Sequence, residues 1–224
     1  MKLYMHPVST VSRPVSLFIA EKKLPVEQEV VDLMTGAHHQ EPFTSINPNR
    51  LVPVLEDGDF RLTESSAILK YLAEKFGLPE YPRDLKERAR VNEMMDWLNN
   101  NLYRDFGYGL VYPQIFPHHR RPSEEAQAAT VKWGKDASSK WLGILNEHWM
   151  ATRGPYLCGP SITVADYFGA GLLTAGEAVG CDFAKYPNVQ RWLENMKKSQ
   201  TWDEVNRVFY GFVGSLQGRQ FEAA

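Results

Sequence analysis

Cysteine is scarce in this chain: two residues, Cys158 and Cys181, among 224. They form no CxxC pair and no metal-ligand spacing, which argues against a disulfide framework and against a bound metal. Both lie late in the chain, so no cysteine nucleophile or redox thiol can belong to an N-terminal site. Two unpaired thiols fit a reducing, cytoplasmic setting, where both are expected to be buried and inert. A strong charge of either sign is also missing. The formal net charge of −2 gives no support to a nucleic-acid or membrane-surface partner. No run of about 18 apolar residues occurs, so no membrane-spanning helix is expected. Met1-Lys2-Leu3-Tyr4-Met5 enters a strand-like segment without the apolar stretch of a signal peptide. Repeats and low-complexity tracts are absent.

Apolar residues make up 43% of the chain, enough for a substantial core. They are unevenly distributed by type. All six tryptophans follow residue 82, and Leu78-Pro79-Glu80-Tyr81-Pro82-Arg83-Asp84 has the composition of a linker. The reading is two domains, 1–81 and 86–224. In the first, Leu3 to Met5 reads as a strand, Arg13 to Lys22 as a helix and Val26 to Val31 as a second strand. A third strand lies within Asn49 to Leu55. Asp57-Gly58 then signals a hairpin into Phe60-Arg61-Leu62. Glu64 to Phe76 is a helix, with Thr63 as a cap and Gly77 as a stop. The order βαβ, then ββα, predicts an α/β thioredoxin-like N-terminal domain. The rest predicts an all-α helical-bundle C-terminal domain. Its segments are Leu85 to about Leu102; Ser123 to Met150, with Trp133, Ala137, Trp141, Leu145 and Trp149 spaced by four; a small-residue helix after a Thr163/Asp166 capping box; a helix around Trp192; and a last one capped by Thr201.

Three N-terminal features carry chemistry. Pro53 in Leu51-Val52-Pro53-Val54-Leu55 cannot donate to a ladder and marks a strand edge or start. The backbone of Val52 is then either a plain edge or an acceptor for an extended peptide. Thr63-Glu64-Ser65-Ser66 sit at a helix N-terminus, which either caps itself or binds a carboxylate. The loop His6 to Arg13 brings the Ser9, Thr10 and Ser12 hydroxyls and the Arg13 charge to the first helix's N-terminus. A thiolate there would be favoured. One charge-assisted hydrogen bond, about 1.5–3 kcal/mol, lowers a thiol pKa by roughly one to two units. A serine hydroxyl plus a helix end therefore suffices without a histidine base.

The chain resembles cytosolic glutathione transferases over nearly its whole length. It is most similar to the theta-like group, which includes bacterial dichloromethane dehalogenases. The matching stretches are Leu3-Tyr4 with Ser9-x-x-Ser12-Arg13; Val31-Asp32-Leu33 with Gly36-Ala37-His38; Ile46-Asn47-Pro48 with Val52-Pro53-Val54-Leu55; and Asp57-Gly58-Asp59-Phe60 with Leu62 to Leu72. Later ones are Tyr156-Leu157-x-Gly159 with Ser161-x-Thr163-x-Ala165-Asp166, and Tyr186-Pro187-Asn188-Val189-x-x-Trp192. The resemblance implies that Ser9 stabilises the glutathione thiolate and that Pro53 follows a cis peptide bond. Val52 would pair with the cysteinyl backbone. Glu64 and Ser65 would hold the γ-glutamyl end, and His38 with its neighbour His39 would lie near the glycyl carboxylate. Thr10 and Ser12 remain rival hydroxyls, since Thr10-Val11-Ser12 stands where theta-like proteins often carry Gln-Pro-Cys or Gln-Pro-Ser. Leu51 stands where a basic or amide residue is usual.

The resemblance further implies an electrophile pocket between the domains. The ring-rich segment 99–117 supplies Tyr103, Phe106 and Tyr112 as its candidate lining, with ordinary core packing as the alternative. Arg104 reads as a leaving-group stabiliser or a surface ion pair, and His118-His119-Arg120-Arg121 as a loop tip. The function implied is a glutathione transferase acting on a small apolar electrophile, with glutathione as co-substrate, no cofactor and a homodimeric state. The alternatives are a non-catalytic glutathione-transferase-like module or a specialised dehalogenase. A thiol–disulfide reductase needs a cysteine in the first loop, and none is there.

Overall fold

The computed structural model describes all residues, 1–224. The N-terminal region forms a four-stranded sheet in the order β2-β1-β3-β4, with β1 at Lys2–Met5, β2 at Glu27–Val30, β3 at Val54–Asp57 and β4 at Phe60–Leu62. β1 runs parallel to β2, as the intervening α1 (Ser12–Glu21) requires. It runs antiparallel to β3, pairing Leu3 with Leu55 and Tyr4 with Val54. The tight Asp57-Gly58 turn makes β3 and β4 a hairpin, with Gly58 at φ 66°. The outer strand β2 carries exposed Glu27, Gln28 and Glu29, a charged edge that discourages further pairing. A short helix α2 (Phe43–Ile46) lies between β2 and β3, and α3 (Ser65–Lys75) follows the hairpin. Gly77, at φ 63°, ends α3 through its bond to the Glu74 carbonyl.

The Val52-Pro53 peptide is cis, as the resemblance implies, and of the settings expected for this proline the structure shows the strand start. β3 is an interior strand and begins only at Val54. Pro53 is tolerated because it precedes the ladder, not because it lies on an edge. Thr63 does not cap α3. Glu64 occupies the cap position at φ 62° and ψ 110° and makes no side-chain capping bond.

From Leu85 onward the chain is helical. α4 (Leu85–Trp97) is capped by Asp84, whose Oδ1 accepts from the amides of Lys86 and Glu87 at 2.9 and 3.0 Å. Two wider, π-helical runs follow, Leu98–Tyr103 and Phe106–Val111, and then α5 (Tyr112–Ile115). α6 (Glu124–Ile144) starts at the expected Ser123 cap and continues through a π-helical stretch, Leu145–Trp149, into α7 (Met150–Arg153). Residues four apart drift about 40° per step on a 3.6-residue helix, so the tryptophan stripe cannot stay on one face. Trp133 is 54% exposed, whereas Trp149 is buried. His148, on the same helical stretch, is exposed.

α8 (Val164–Thr174) is buried along its whole length. Its Thr163/Asp166 capping box forms, and Asp166 also accepts from the Leu157 amide and the Trp192 indole at 2.8 and 2.9 Å. The small residues of α8 admit close neighbours: a Cβ on Gly171 would lie 2.3 Å from Pro14 Cγ of α1. α9 (Pro187–Lys197) and α10 (Trp202–Ser215) complete the bundle, the latter without the expected Thr201 side-chain cap. The halves are joined through α1. Its Glu21 accepts from Tyr167 and Ser199, and Lys22 pairs with the buried Glu80. No helix is long and apolar enough to cross a membrane.

Candidate functional site

Two connected spaces open where the sheet's end meets the first helices of the second region. One is a cleft of about 610 Å³ bounded by Val52-Pro53, Thr63 to Ser66, Asn99-Asn100 and Tyr103. The other, of about 210 Å³, is bounded by Ser9, Thr10, Val52, Tyr103, Tyr112 and Phe116, among others. Val11, Leu51, Val52, Tyr103 and Tyr108 border both.

The larger cleft has two sets of unsatisfied backbone groups. The amides of Ser65, Ser66 and Ala67 begin α3 and receive no acceptor from the chain; the first bond of the helix runs from the Ile68 amide to the Glu64 carbonyl. This is the partial positive end of a helix turned toward a cavity. Glu64 sits in a backbone region that side chains rarely adopt, at a cost on the order of 1–3 kcal/mol. That strain directs the α3 amides and the Ser65 hydroxyl toward the cleft. Facing them, the N–H and C=O of Val52 make no hydrogen bond within the chain, while its side chain is buried beside Tyr4 and Phe43. The loop before it is held by Asn47. The Asn47 side-chain amide donates to the Leu51 carbonyl at 2.8 Å, and Asn47 Oδ1 accepts from the Asn49 amide at 3.0 Å. This scaffold carries no sequence signal beyond its place in an Ile-Asn-Pro stretch.

In the smaller space the three rival hydroxyls separate. Ser12 is fully buried in α1, with its Oγ 3.5 Å from the His6 amide. Thr10 is buried and borders the same pocket as Tyr112. Ser9 is partly exposed. Its Oγ accepts from the Ser12 amide at 3.2 Å, and its carbonyl accepts from Arg13 at 3.1 Å. Ser9 therefore caps α1, and its hydroxyl proton has no acceptor in the chain. Capping and donation to a thiolate use different parts of one hydroxyl.

Arg13 does not join this site. It is 1% exposed and turned into the second region, where it donates to Thr174 Oγ1, Asn206 Oδ1 and the Gly171 carbonyl at 3.1, 2.8 and 3.2 Å. Its guanidinium stacks 3.6 Å from the Phe209 ring centre. Burial lowers its pKa to about 10, so it remains cationic at neutral pH.

Of the rings expected in the pocket, Tyr103 and Tyr112 line it and Phe106 does not. Phe106 is fully buried against Phe183 and Gly176. The π-helical geometry is the reason: bonds from i to i+5 bring residues five apart onto one face, which aligns Tyr103 with Tyr108 and rotates Phe106 inward. Tyr103 and Tyr112 share a hydroxyl–hydroxyl hydrogen bond of 2.6 Å. Burial raises both phenols. Tyr112 reaches about 12, with Thr10 and Tyr103 pulling it down. His38 borders the pocket, while His39 is exposed and borders neither space, its ring tilted against His38 with the centres 3.9 Å apart. The residues read as a loop tip are a short turn, Pro117–His119, whose His118 and His119 also border the pocket. Their sequence neighbourhood gave no sign of this. Arg104 borders the larger cleft and is paired with the buried Asp105 at 2.7 Å.

Neither thiol is activated: burial pushes Cys158 up to about 12 and raises Cys181 as well. No three His, Cys, Asp or Glu side chains converge as a metal-ligand set.

Comparison with known proteins fits this geometry. The family model of the glutathione S-transferase N-terminal domain matches residues 1–74, and that of the C-terminal domain matches 110–199. Human glutathione S-transferase theta-1 is 33% identical over 202 residues, spanning 88% of this chain and 82% of that protein. Human glutathione S-transferase theta-2B is 34% identical over 195 residues, spanning 86% and 78%. The crystal structure of human glutathione transferase theta-2, in complex with glutathione and an unknown ligand, superposes with a TM-score of 0.83. It has 29% identity and covers 99% of this chain and 92% of that one. The chain belongs to the glutathione S-transferase family, with its similarity to the theta class.

Proposed function

We propose that this protein joins the sulfur of glutathione to a small apolar electrophile, glutathione entering as co-substrate without a cofactor. The observation that carries the reading is the pairing of two unsatisfied backbone features across one cleft. Val52 offers an N–H and a C=O to an extended peptide, and the α3 N-terminus offers three amides to a carboxylate. A peptide with a carboxylate at its end suits both. Residues 1–81 would bind it, with Val52, Pro53, Glu64 and Ser65 holding backbone and γ-glutamyl end, and His38 toward the glycyl end. Ser9 would donate to the thiolate, with Thr10 beside it. Residues 86–224 would supply the electrophile wall through Tyr103 and Tyr112. Catalysis would then rest on thiolate stabilisation and on holding the two reactants together.

The pocket volume of about 210 Å³ is below that of sites for drug-sized ligands, roughly 300–1,000 Å³, which supports small electrophiles and keeps dihaloalkanes in view. A cytoplasmic location and a homodimer complete the proposal. Calorimetry with glutathione and conjugation of a chlorinated aromatic test its centre, and absence of glutathione binding refutes it. Halide release from a dihaloalkane distinguishes the dehalogenase reading. A sedimentation mass of one chain refutes the homodimer.

A further inference from the structure

The smaller pocket is one-sided in its charge. Five basic side chains border it, His6, His38, Arg50, His118 and His119, and no carboxylate does. The chain carries 27 Asp and Glu against 25 Lys and Arg, so the lack of an acid is a local feature. The larger cleft differs, since Glu64 borders it. Of the five, His6 alone has a side-chain partner. Its Nδ1 accepts from the Val8 amide at 3.2 Å, and its Nε2 stands 3.9 Å from Asp32. His38 Nδ1 is buried and bonds nothing, a costly state for a polar atom. Burial, then His39, His118 and His6, hold charge off His38; burial, then His118 and Arg121, hold it off His119. These groups oppose one another, and what they lack is an anion.

The two regions contribute separately. His38 lies in the short turn Ala37–His39, and Arg50 in the loop before Val52, on the side proposed for the glycyl end of glutathione. His118 and His119 belong to the second region, in the turn Pro117–His119. They stand on the side proposed for the electrophile. His119 lies against its rings, with centres 5.2 Å from Tyr112 and 5.5 Å from Tyr108, and His118 stacks on Phe116 at 5.7 Å. Even a neutral imidazole keeps one N–H to donate, and a carboxylate is the strongest acceptor it commonly meets. Leu33, Met34 and Phe116 border the same pocket and suit an apolar body.

We propose that His118 and His119 determine specificity by binding a carboxylate on the electrophile, so that the favoured substrate is a small apolar body with a reactive carbon at one end and a carboxylate at the other. The inference rests on the transferase reading above and names its substrate class. With a halide as leaving group, the glutathione sulfur forms a bond to the reactive carbon. The carbon–halogen bond breaks, and the halide departs with the bonding pair. The thiol proton passes to water. The carboxylate is unchanged; its two imidazole partners aim the reactive carbon at a sulfur held by Ser9.

The test compares 4-(chloromethyl)benzoate with 4-(chloromethyl)benzamide, which has the same shape and no charge. Each rate is taken relative to the uncatalysed reaction with glutathione. A hydrogen bond to a charged group is worth on the order of 10–100-fold in binding. The wild type is therefore expected to prefer the benzoate by about tenfold or more in kcat/KM, chiefly through KM. The double variant His118→Phe/His119→Phe keeps rings against Phe116 and Tyr112 but has no donors, and its preference should vanish. His118→Gln/His119→Gln restores donors and should recover part of it. Circular dichroism and the glutathione Kd establish that each variant is folded and binds. A wild type active on the amide without preferring the benzoate overturns the inference. So does a preference that survives in the phenylalanine variant; if that variant's glutathione Kd rises instead, the pair holds the glycyl carboxylate of glutathione. Inactivity on both chlorides, with glutathione still bound, overturns the transferase reading and the inference with it.

Discussion

Ser9 offers a perturbation in which two roles of one hydroxyl can be pulled apart. Its oxygen accepts the Ser12 amide at 3.2 Å, and its proton is free. Ser9→Ala removes both. Loss of the cap is expected to cost about 1 kcal/mol of stability. Loss of a charge-assisted bond to the glutathione thiolate, about 1.5–3 kcal/mol, is expected to raise the bound thiol's pKa by roughly one to two units. Ser9→Asp removes only the second role. A carboxylate caps at least as well as a hydroxyl and suits a helix N-terminus, so stability should be retained. It has no proton to donate and repels the thiolate, so the thiol pKa should rise at least as far as in Ser9→Ala. The assay is a pH titration of thiolate ultraviolet absorbance with glutathione saturating, beside a urea unfolding curve for each variant. If the thiol pKa is the same in wild type, Ser9→Ala and Ser9→Asp, Ser9 is only a cap. A shift confined to Thr10→Ala would place the chemistry on the neighbouring hydroxyl.

Three further outcomes follow from the geometry. Glu64→Gly should stabilise the fold, by on the order of 1 kcal/mol, because glycine adopts φ 62° without strain; glutathione affinity should fall as the side chain and the rigidity of the α3 entrance are lost, and calorimetry with thermal melts measures both. Gly171→Ala should cost about 1–3 kcal/mol by overpacking, since its Cβ would meet Pro14 at 2.3 Å and the Thr10 carbonyl at 3.1 Å. Conjugation should fall further than stability, because the displaced segment carries Ser9 and Thr10. Burial holds His6, His38 and His119 below the ordinary imidazole value, with His39 adding to the effect at His38 and His118 at His119. The unfolded chain then binds more protons as pH falls. Their contribution to stability is full above about 6.5 and is lost as pH drops through the depressed folded values. His6→Asn, which keeps an acceptor for the Val8 amide bonded at 3.2 Å, should flatten the urea midpoint between pH 8 and pH 5. A variant with the wild-type slope would refute the contribution of His6.

What was legible in the sequence was mostly local. The Ser123 cap, the Thr163/Asp166 box and the Gly77 stop involve residues within a few positions of one another, and all three formed. Val52-Pro53 and Glu64-Ser65 were also legible as chemistry, because a proline and a helix start each announce unsatisfied backbone. What failed depended on distance or on helix type. Arg13 looked like a charge for the N-terminal loop, but its acceptors lie on Gly171, Thr174 and Asn206. Phe106 and Tyr108 exchanged places because π-helical turns do not follow the 3.6 period. His118 and His119 gained a pocket only when the turn after α5 folded beside the Ser9 loop.

The interior position of β3 has a consequence for what the cleft can measure. A sheet edge is indifferent to length: it will pair with as many residues as a guest strand offers. Here the ladder begins at Val54, and the Leu51 carbonyl before it is taken by Asn47, so Val52 is the residue whose N–H and C=O both stand open. A guest paired there is bounded on one side by the first turn of α3. On the other side, the connected pocket is bordered by His38 and the Arg50 loop. In the proposed binding mode the arrangement would work as a ruler, reading one peptide unit in the middle and the ends by their distance from it. On that reading a peptide lengthened by a single residue, though it keeps every functional group, would bind less tightly than glutathione, which competition calorimetry measures.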